Sequence, residues 1–155
     1  SVDIVEAQRG VTTLTRQELQ YEYRASSLKL RTDKRFLVLR VLMEFQEDDP
    51  ATIQARMDTF NAHRRSTQPG GASLGSIFKN PPNDYAGRLI EAAGLKGHRI
   101  GSAMVSPVHA NFFINVEGAE GLAADYYALV RHVQQTVEAQ FGVRLEAEIE
   151  FVGEF

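Results

Sequence analysis

The sequence predicts an α+β fold, a small sheet carrying helices on one face, and three observations predict it. From about Ala123 to Phe141, apolar residues recur at helical spacing, with Leu129, Val133, Val137 and Phe141 on one stripe and Gly142 as the stop. The stretch after it alternates as a strand: Val143, Leu145, Ala147, Ile149 and Phe151 point one way, Arg144, Glu146, Glu148 and Glu150 the other. The order strand, helix, strand with few crossovers then favours helices layered on one side of a small sheet.

The remaining elements follow from local signals. Thr15 and Glu18 have capping-box spacing, which predicts a short helical turn before Tyr21. Phe36 to Phe45 (FLVLRVLMEF) is a β-branched and apolar run with Arg40 and Glu44 on one alternating face, so it reads as a strand with one face fully buried. Asp49-Pro50 is a good helix start, and Ile53, Met57 and Phe60 recur on one face as far as Arg64. The Pro/Gly/Ser loop Ser66 to Gly75 marks the main domain boundary just before it. A second helix is expected from Asp84 to Gly94, and short strands around Ala103–Val105 and Phe112–Val116.

With 155 residues and an apolar fraction of 43%, the chain supports an ordinary globular core. It has no apolar run of the roughly 20 residues that cross a bilayer and no basic-then-apolar leader, so a cytoplasmic protein without membrane contact is expected. The absence of cysteine excludes disulfides, iron–sulfur clusters and thiolate metal sites, leaving redox chemistry to a bound organic cofactor. His63, His98, His109 and His132 lack metal-ligand spacing, and no metal is expected. The first residue, Ser1, suggests processing or a piece of a longer protein.

A net charge of −3 conceals an asymmetry. Arg16 to Arg40 holds seven basic and three acidic residues, whereas Glu117 to the end holds eight acidic residues against Arg131 and Arg144. Local basic excess beside an acidic remainder suits a small phosphate-bearing ligand better than nucleic acid, which needs a broad positive face.

The richest segment is Gly70 to Pro81 (GGASLGSIFKNP). It fails as a phosphate loop, because Ser76 stands where a phosphate-gripping lysine belongs and no apolar strand leads in. It fails as a nucleophile elbow, because no glycine stands two residues after Ser76. On composition alone, Gly75 and Ser76 form a structural turn.

GSIFKNP, followed by AGRLIEAAGLKG, IGSAMVS, HANFFIN and LEAEIEFVG, resembles in order and spacing the C-terminal substrate domain of the UDP-N-acetylenolpyruvoylglucosamine reductase family. Upstream, Tyr23, Arg24 and Ser26 in YEYRAS resemble the family's Tyr-Arg-x-Ser element, and FLVLRV the strand after it. The resemblance runs from about Val11 to Gly153, with one departure: Ser102 stands where the family more often has a second glycine.

This resemblance implies residues 1–46 as the closing strands of a flavin-binding domain, 47–66 as a linker helix and 67–153 as the substrate-binding domain. It implies FAD as cofactor, NADPH as reductant and UDP-N-acetylglucosamine enolpyruvate as substrate. Most of the flavin-binding region would be missing, so this chain alone is expected to be inactive. Ser76 would donate a proton to the substrate carbon, with Arg24 and Glu148 near the substrate carboxylate and enol. Tyr23, Lys79, Asn80, His109 and Asn111 would line the substrate site, and Arg24 and Gly75 would contact the cofactor. Periodicity alone puts Glu148 with Glu146 and Glu150 on a solvated strand face. A non-catalytic nucleotide-sugar-binding or interaction module is the alternative, and a serine hydrolase the third.

Overall fold

The computed structural model describes residues 1–154, which divide into two compact units, one from Ser1 to Asp49 and one from Pro50 onward. In the first unit β1 (Val2–Glu6) lies between β2 (Gly10–Leu14) and β3 (Phe36–Val41), antiparallel to both. Two single-turn helices, α1 (Arg16–Leu19) and α2 (Ser27–Leu30), fill the connection between β2 and β3. The expected capping box opens α1: Glu18 N–H donates to Thr15 Oγ1 (3.3 Å) while the Thr15 N–H donates to Glu18 Oε2 (2.8 Å).

The second unit begins with α3 (Pro50–Thr67). Its sheet has the order β4-β7-β6-β5, all antiparallel, from β4 (Ser73–Ser76), β5 (Arg99–Ile100), β6 (Ala103–Val105) and β7 (Phe112–Asn115). The helices α4 (Ala86–Ala92) and α5 (Ala123–Phe141) complete it. Ala103, Val105 and Phe113 pack with Leu89 and Ile90 of α4 and Leu129, Val133 and Val137 of α5 in one buried cluster, the α+β layering the sequence predicts. α5 has the expected bounds and ends on Gly142 at φ +68°, the left-handed conformation a glycine adopts without steric cost. Phe141, expected on its buried stripe, is exposed.

Ser102 has a clear structural role. Its hydroxyl accepts from Leu122 N–H (2.9 Å) at the start of α5 and donates to Asp125 Oδ2 (2.8 Å), which also accepts the Ser102 N–H (2.7 Å). A glycine there could make only the backbone contact.

Three expectations are corrected. The run Phe36 to Phe45 is a strand only to Val41, and its apolar side chains are not buried: Leu37 is 69% and Leu39 55% exposed. The buried cluster of the first unit is only Val2, Ile4 and Leu19, with Leu14, Leu28 and Phe36 against it, too few side chains to cover β3. Likewise Ile53, Met57 and Phe60 of α3 are exposed.

The alternating stretch Val143 to Phe151 forms no strand among the described residues, only a single bridge between Ala147 and Phe78. Its partner segment explains this. Lys79 N–H donates to Glu146 O (2.9 Å) and Glu148 N–H to Ile77 O (2.8 Å), but the next partners would be Pro81 and Pro82, which lack the N–H a ladder requires. In the other direction Gly75, at φ +79°, breaks the extended backbone. The alternation still works locally, since Leu145 is buried and Val143 and Ile149 pack against the core.

The helix expected from Asp84 starts later. Asp84 binds the Tyr85 N–H and Arg88 rather than capping, and Asn80 Oδ1 accepts the Ala86 N–H (3.1 Å) at the first turn of α4. Arg88, through its hydrogen bonds, holds the Asp84 carboxyl down at about 2.

Candidate active site

Ser76 ends β4 opposite Phe112, and the chain then runs between two neighbours. On one side Ile77 N–H donates to Asn111 O (2.9 Å); on the other lie the two bonds to Glu146 and Glu148. The strand carrying Ser76 is therefore hydrogen-bonded to the segment carrying Glu148, one residue away in register. Both residues are half-buried. No protein group among the described residues holds the Ser76 hydroxyl, which leaves it available to a ligand.

Gly75 has open space where a Cβ would stand, and its left-handed backbone suits glycine. Lys79 is paired with Glu146, a carboxylate that would compete with any phosphate for it. Asn80 serves α4 through its side-chain oxygen, keeping its amide N–H₂ for other contacts. Glu146, Glu148 and Glu150 do not line one face of a strand, because no strand forms there.

His109 Nδ1 accepts the Asn111 N–H (3.2 Å), which in the neutral ring puts the proton on Nε2. Burial, helped by the charge of Lys96, pushes the His109 imidazole below its usual 6.5. Around neutral pH it is thus a neutral donor at the rim of this cluster. Asn111 is buried, its amide engaged twice with the Phe78 peptide.

A cavity of about 420 Å³, an ordinary size for a small-molecule pocket, is lined by chain neighbours of Ser76 and Glu148, though by neither residue itself. Leu74, Leu122, Tyr126, Ile149 and Phe151 supply its apolar lining and Ser73 and Glu150 polar groups. Its walls include residues just before Ser76 and just after Glu148. Burial raises the Tyr126 phenol above its usual 10, keeping it a donor. Sequence reading missed this wall, since Tyr126 is one of two adjacent tyrosines on a helix with nothing to mark the one that lines a cavity.

Tyr23 and Arg24 belong to the first unit. They form the tip of a tight turn closed by Glu22 N–H to Ala25 O (3.1 Å) and Ala25 N–H to Glu22 O (3.2 Å). Arg24 has φ +56°, uncommon for a side chain of this size and a conformation concentrated at functional sites. Its guanidinium lies 5.6 Å from the Tyr23 ring centroid, within cation–π range. Among the described residues no cluster of three or more His, Cys, Asp or Glu could hold a metal, and no helix is long and apolar enough to cross a membrane.

Fold and cluster together define an α+β domain in which a serine-bearing strand is hydrogen-bonded to a glutamate-bearing segment, with a ligand-sized cavity lined by their neighbours in the chain. The family model "UDP-N-acetylenolpyruvoylglucosamine reductase, C-terminal domain" matches residues 67–152. The chain is 44% identical over 155 residues to the UDP-N-acetylenolpyruvoylglucosamine reductase of Shouchella clausii, covering 99% of this chain and 48% of that protein. It is 47% identical over 137 residues to that of Chloroflexus aurantiacus, covering 87% and 46%. A crystal structure of UDP-N-acetylenolpyruvylglucosamine reductase (MurB) from Thermus caldophilus superposes with a TM-score of 0.78 at 35% identity, covering 96% of this chain and 51% of that one. The chain belongs to the UDP-N-acetylenolpyruvoylglucosamine reductase family. It spans about half the length of the curated relatives it matches.

Proposed function

We propose that this chain is part of a cytoplasmic oxidoreductase that reduces UDP-N-acetylglucosamine enolpyruvate to UDP-N-acetylmuramate with NADPH, in peptidoglycan precursor synthesis. Residues 67–153 supply the substrate domain, 47–66 the linker helix and 1–46 the closing strands of the flavin domain. The observation that carries the reading is the pairing of the Ser76 and Glu148 segments, with a ligand-sized cavity lined by residues that flank them in the chain.

A flavin fits the residues present, because the open space over Gly75 and its left-handed backbone leave that peptide accessible to a flat ring. Gly75 and Arg24 would hold it. When bound, FAD supplies the hydride to the enolpyruvyl double bond.

Ser76 then gives its hydroxyl proton to the substrate carbon left with the negative charge. A serine is a weak acid, so neighbours must stabilise that charge as it develops. Arg24 suits the substrate carboxylate, which its planar fork can grip through two hydrogen bonds, and Glu148 suits the enol. Tyr23, Lys79, Asn80 and His109 would build the surrounding substrate site, and Asn111, whose buried amide is engaged with Phe78, would act through that segment. The exposed apolar face of β3 suits packing against the remainder of the flavin domain, the region this chain would need as its partner.

The test is S76A in the full-length parent. Reduction of the flavin by NADPH should proceed nearly as in the wild type, while its reoxidation by the enolpyruvyl substrate slows by roughly 10² to 10⁴. Equal slowing of both half-reactions, or none of the second, removes Ser76 from the mechanism. The isolated chain should purify colourless, because too few flavin contacts remain to offset the entropy of fixing so large a ligand. Flavin absorbance near one equivalent would overturn that expectation.

A further inference from the structure

We propose that Asn111 is a positioning residue that sets the register of the Ser76–Asn80 segment by acting as an extra peptide in the sheet. The proposal deepens the reading of Ser76 and its neighbours as the active site and rests on it for its functional meaning.

The pairing of β4 with β7, whose register shifts between Ser73 and Ser76, ends at the pair Ser76 and Phe112. Beyond it the chain before Asn111 turns away, with Phe112 N–H donating to His109 O (3.0 Å), so on the β7 side no backbone remains opposite Phe78. The Asn111 side chain takes that place. Its Oδ1 accepts the Phe78 N–H (2.9 Å) and its Nδ2 donates to Phe78 O (2.8 Å), both buried, in a residue only 4% exposed. A primary amide offers the donor and the acceptor that a peptide would.

The opposite edge of the same stretch is held by Glu146 O and Glu148 N–H. Ile77 and Phe78, buried in the core, are thus tied on both sides, which leaves Ser76, Lys79 and Asn80 on either flank with fixed positions. Register matters here because a slip of one residue turns alternate side chains to the other face of a sheet. Gly75, at the register shift inside β4, makes such a slip easier to reach, and the amide blocks it. Asn111 N–H also fixes the His109 ring, so one residue positions groups on both sides of the site.

Two variants of this chain test the proposal. N111L approximates the volume and satisfies neither Phe78 group. N111D keeps the acceptor, loses the donor while ionised, and regains one when its carboxyl is protonated. Amide hydrogen exchange, corrected for intrinsic rates, is read at Phe78, Lys79 and Glu148 and compared with Leu129 and Val133 of α5. In both variants the first group should lose about tenfold or more protection relative to the second, as expected for local opening. Lowering the pH through protonation of Asp in N111D should restore much of the loss, a rescue that general destabilisation would not give. If N111L does not fold, N111D at the two pH values decides alone.

Protection unchanged in the segment, or lost equally in α5, overturns the proposal. A second arm titrates UDP-N-acetylglucosamine by chemical-shift perturbation, with N111D expected to weaken binding about tenfold. If the unmodified chain binds no UDP-sugar while the exchange result holds, the substrate reading fails and the positioning role stands.

Discussion

The two units use the same kind of sequence to opposite effect. Around the four-stranded sheet, fifteen buried apolar residues drawn from α4, α5, two strands and the loops form one cluster. Around the three-stranded sheet only Val2, Ile4 and Leu19 are buried, although β3 is almost wholly apolar. Apolar composition is a demand for burial, and a second layer is what answers it. The second unit has that layer in α4 and α5, whereas α1 and α2 are single turns that cover little.

Equivalent core truncations in the two units should therefore differ in cost. L129A, in the larger cluster, is expected to destabilise its unit by about 2–5 kcal/mol, the range for Leu-to-Ala in packed cores. I4A should fall at or below the low end of the same range, because a thin layer can collapse around the gap. Chemical denaturation with a probe in each unit measures both, and equal losses would break the comparison.

A smaller effect sharpens it. S102A removes the acceptor for Leu122 N–H and one partner of Asp125, and should cost about 1 kcal/mol in the second unit alone, as for other helix-start side chains. Loss of stability in the first unit as well would mean that the two units unfold together.

Stability against pH gives a further separation. Burial lowers the pKa of both His109 and His132, and the nearby His98 adds to the effect at His132. A base with a lowered folded pKa binds its proton more weakly folded than unfolded. Its contribution is therefore complete above the unfolded value of about 6.5 and is lost as pH falls through the lower folded value. The hydrogen bonds from Ser102 lower the Asp125 carboxyl, so its contribution persists until the pH falls below about 3.8. Thermal melts should show a first decline of the second unit below about pH 6.5, flattened in H109N and H132N, and a later one that D125N reduces and the lowered Asp84 carboxyl sustains.

The least effect on stability is expected where the apolar residues already lie in solvent. L39K should change the stability of the first unit by no more than about 0.5 kcal/mol, yet reduce self-association and binding of a hydrophobic dye. A marked fall in stability would show that β3 is covered in solution.

What the sequence reveals well is what short-range chemistry decides. The capping box at Thr15, the stop at Gly142 and the bounds of α5 depend on residues within a turn or two of one another, and all are found where expected. Burial of FLVLRV and pairing of the last segment depend on partners far away. Alternation in Val143 to Phe151 correctly turns Leu145 inward, but it carries no information about Pro81 and Pro82, whose missing N–H groups stop the ladder. In the candidate site, motif order brings Ser76 and Glu148 to attention, and their adjacency follows only from the fold. The double hydrogen bond of Asn111 and the cavity wall at Tyr126 leave no trace in spacing at all.

The turn between β5 and β6 carries a constraint of another kind. At Gly101, where φ is +52°, an added Cβ would stand 2.2 Å from Asp125 Oδ2, and that carboxylate is itself held by Ser102. No side chain can enter at 101 unless the aspartate leaves, and the aspartate leaves only by abandoning both Ser102 bonds. Three sites separated by up to 24 positions in the chain therefore behave as one heritable unit. A library randomised at 101, 102 and 125 and selected for folding should return them as correlated sets, with single changes at 101 the rarest survivors.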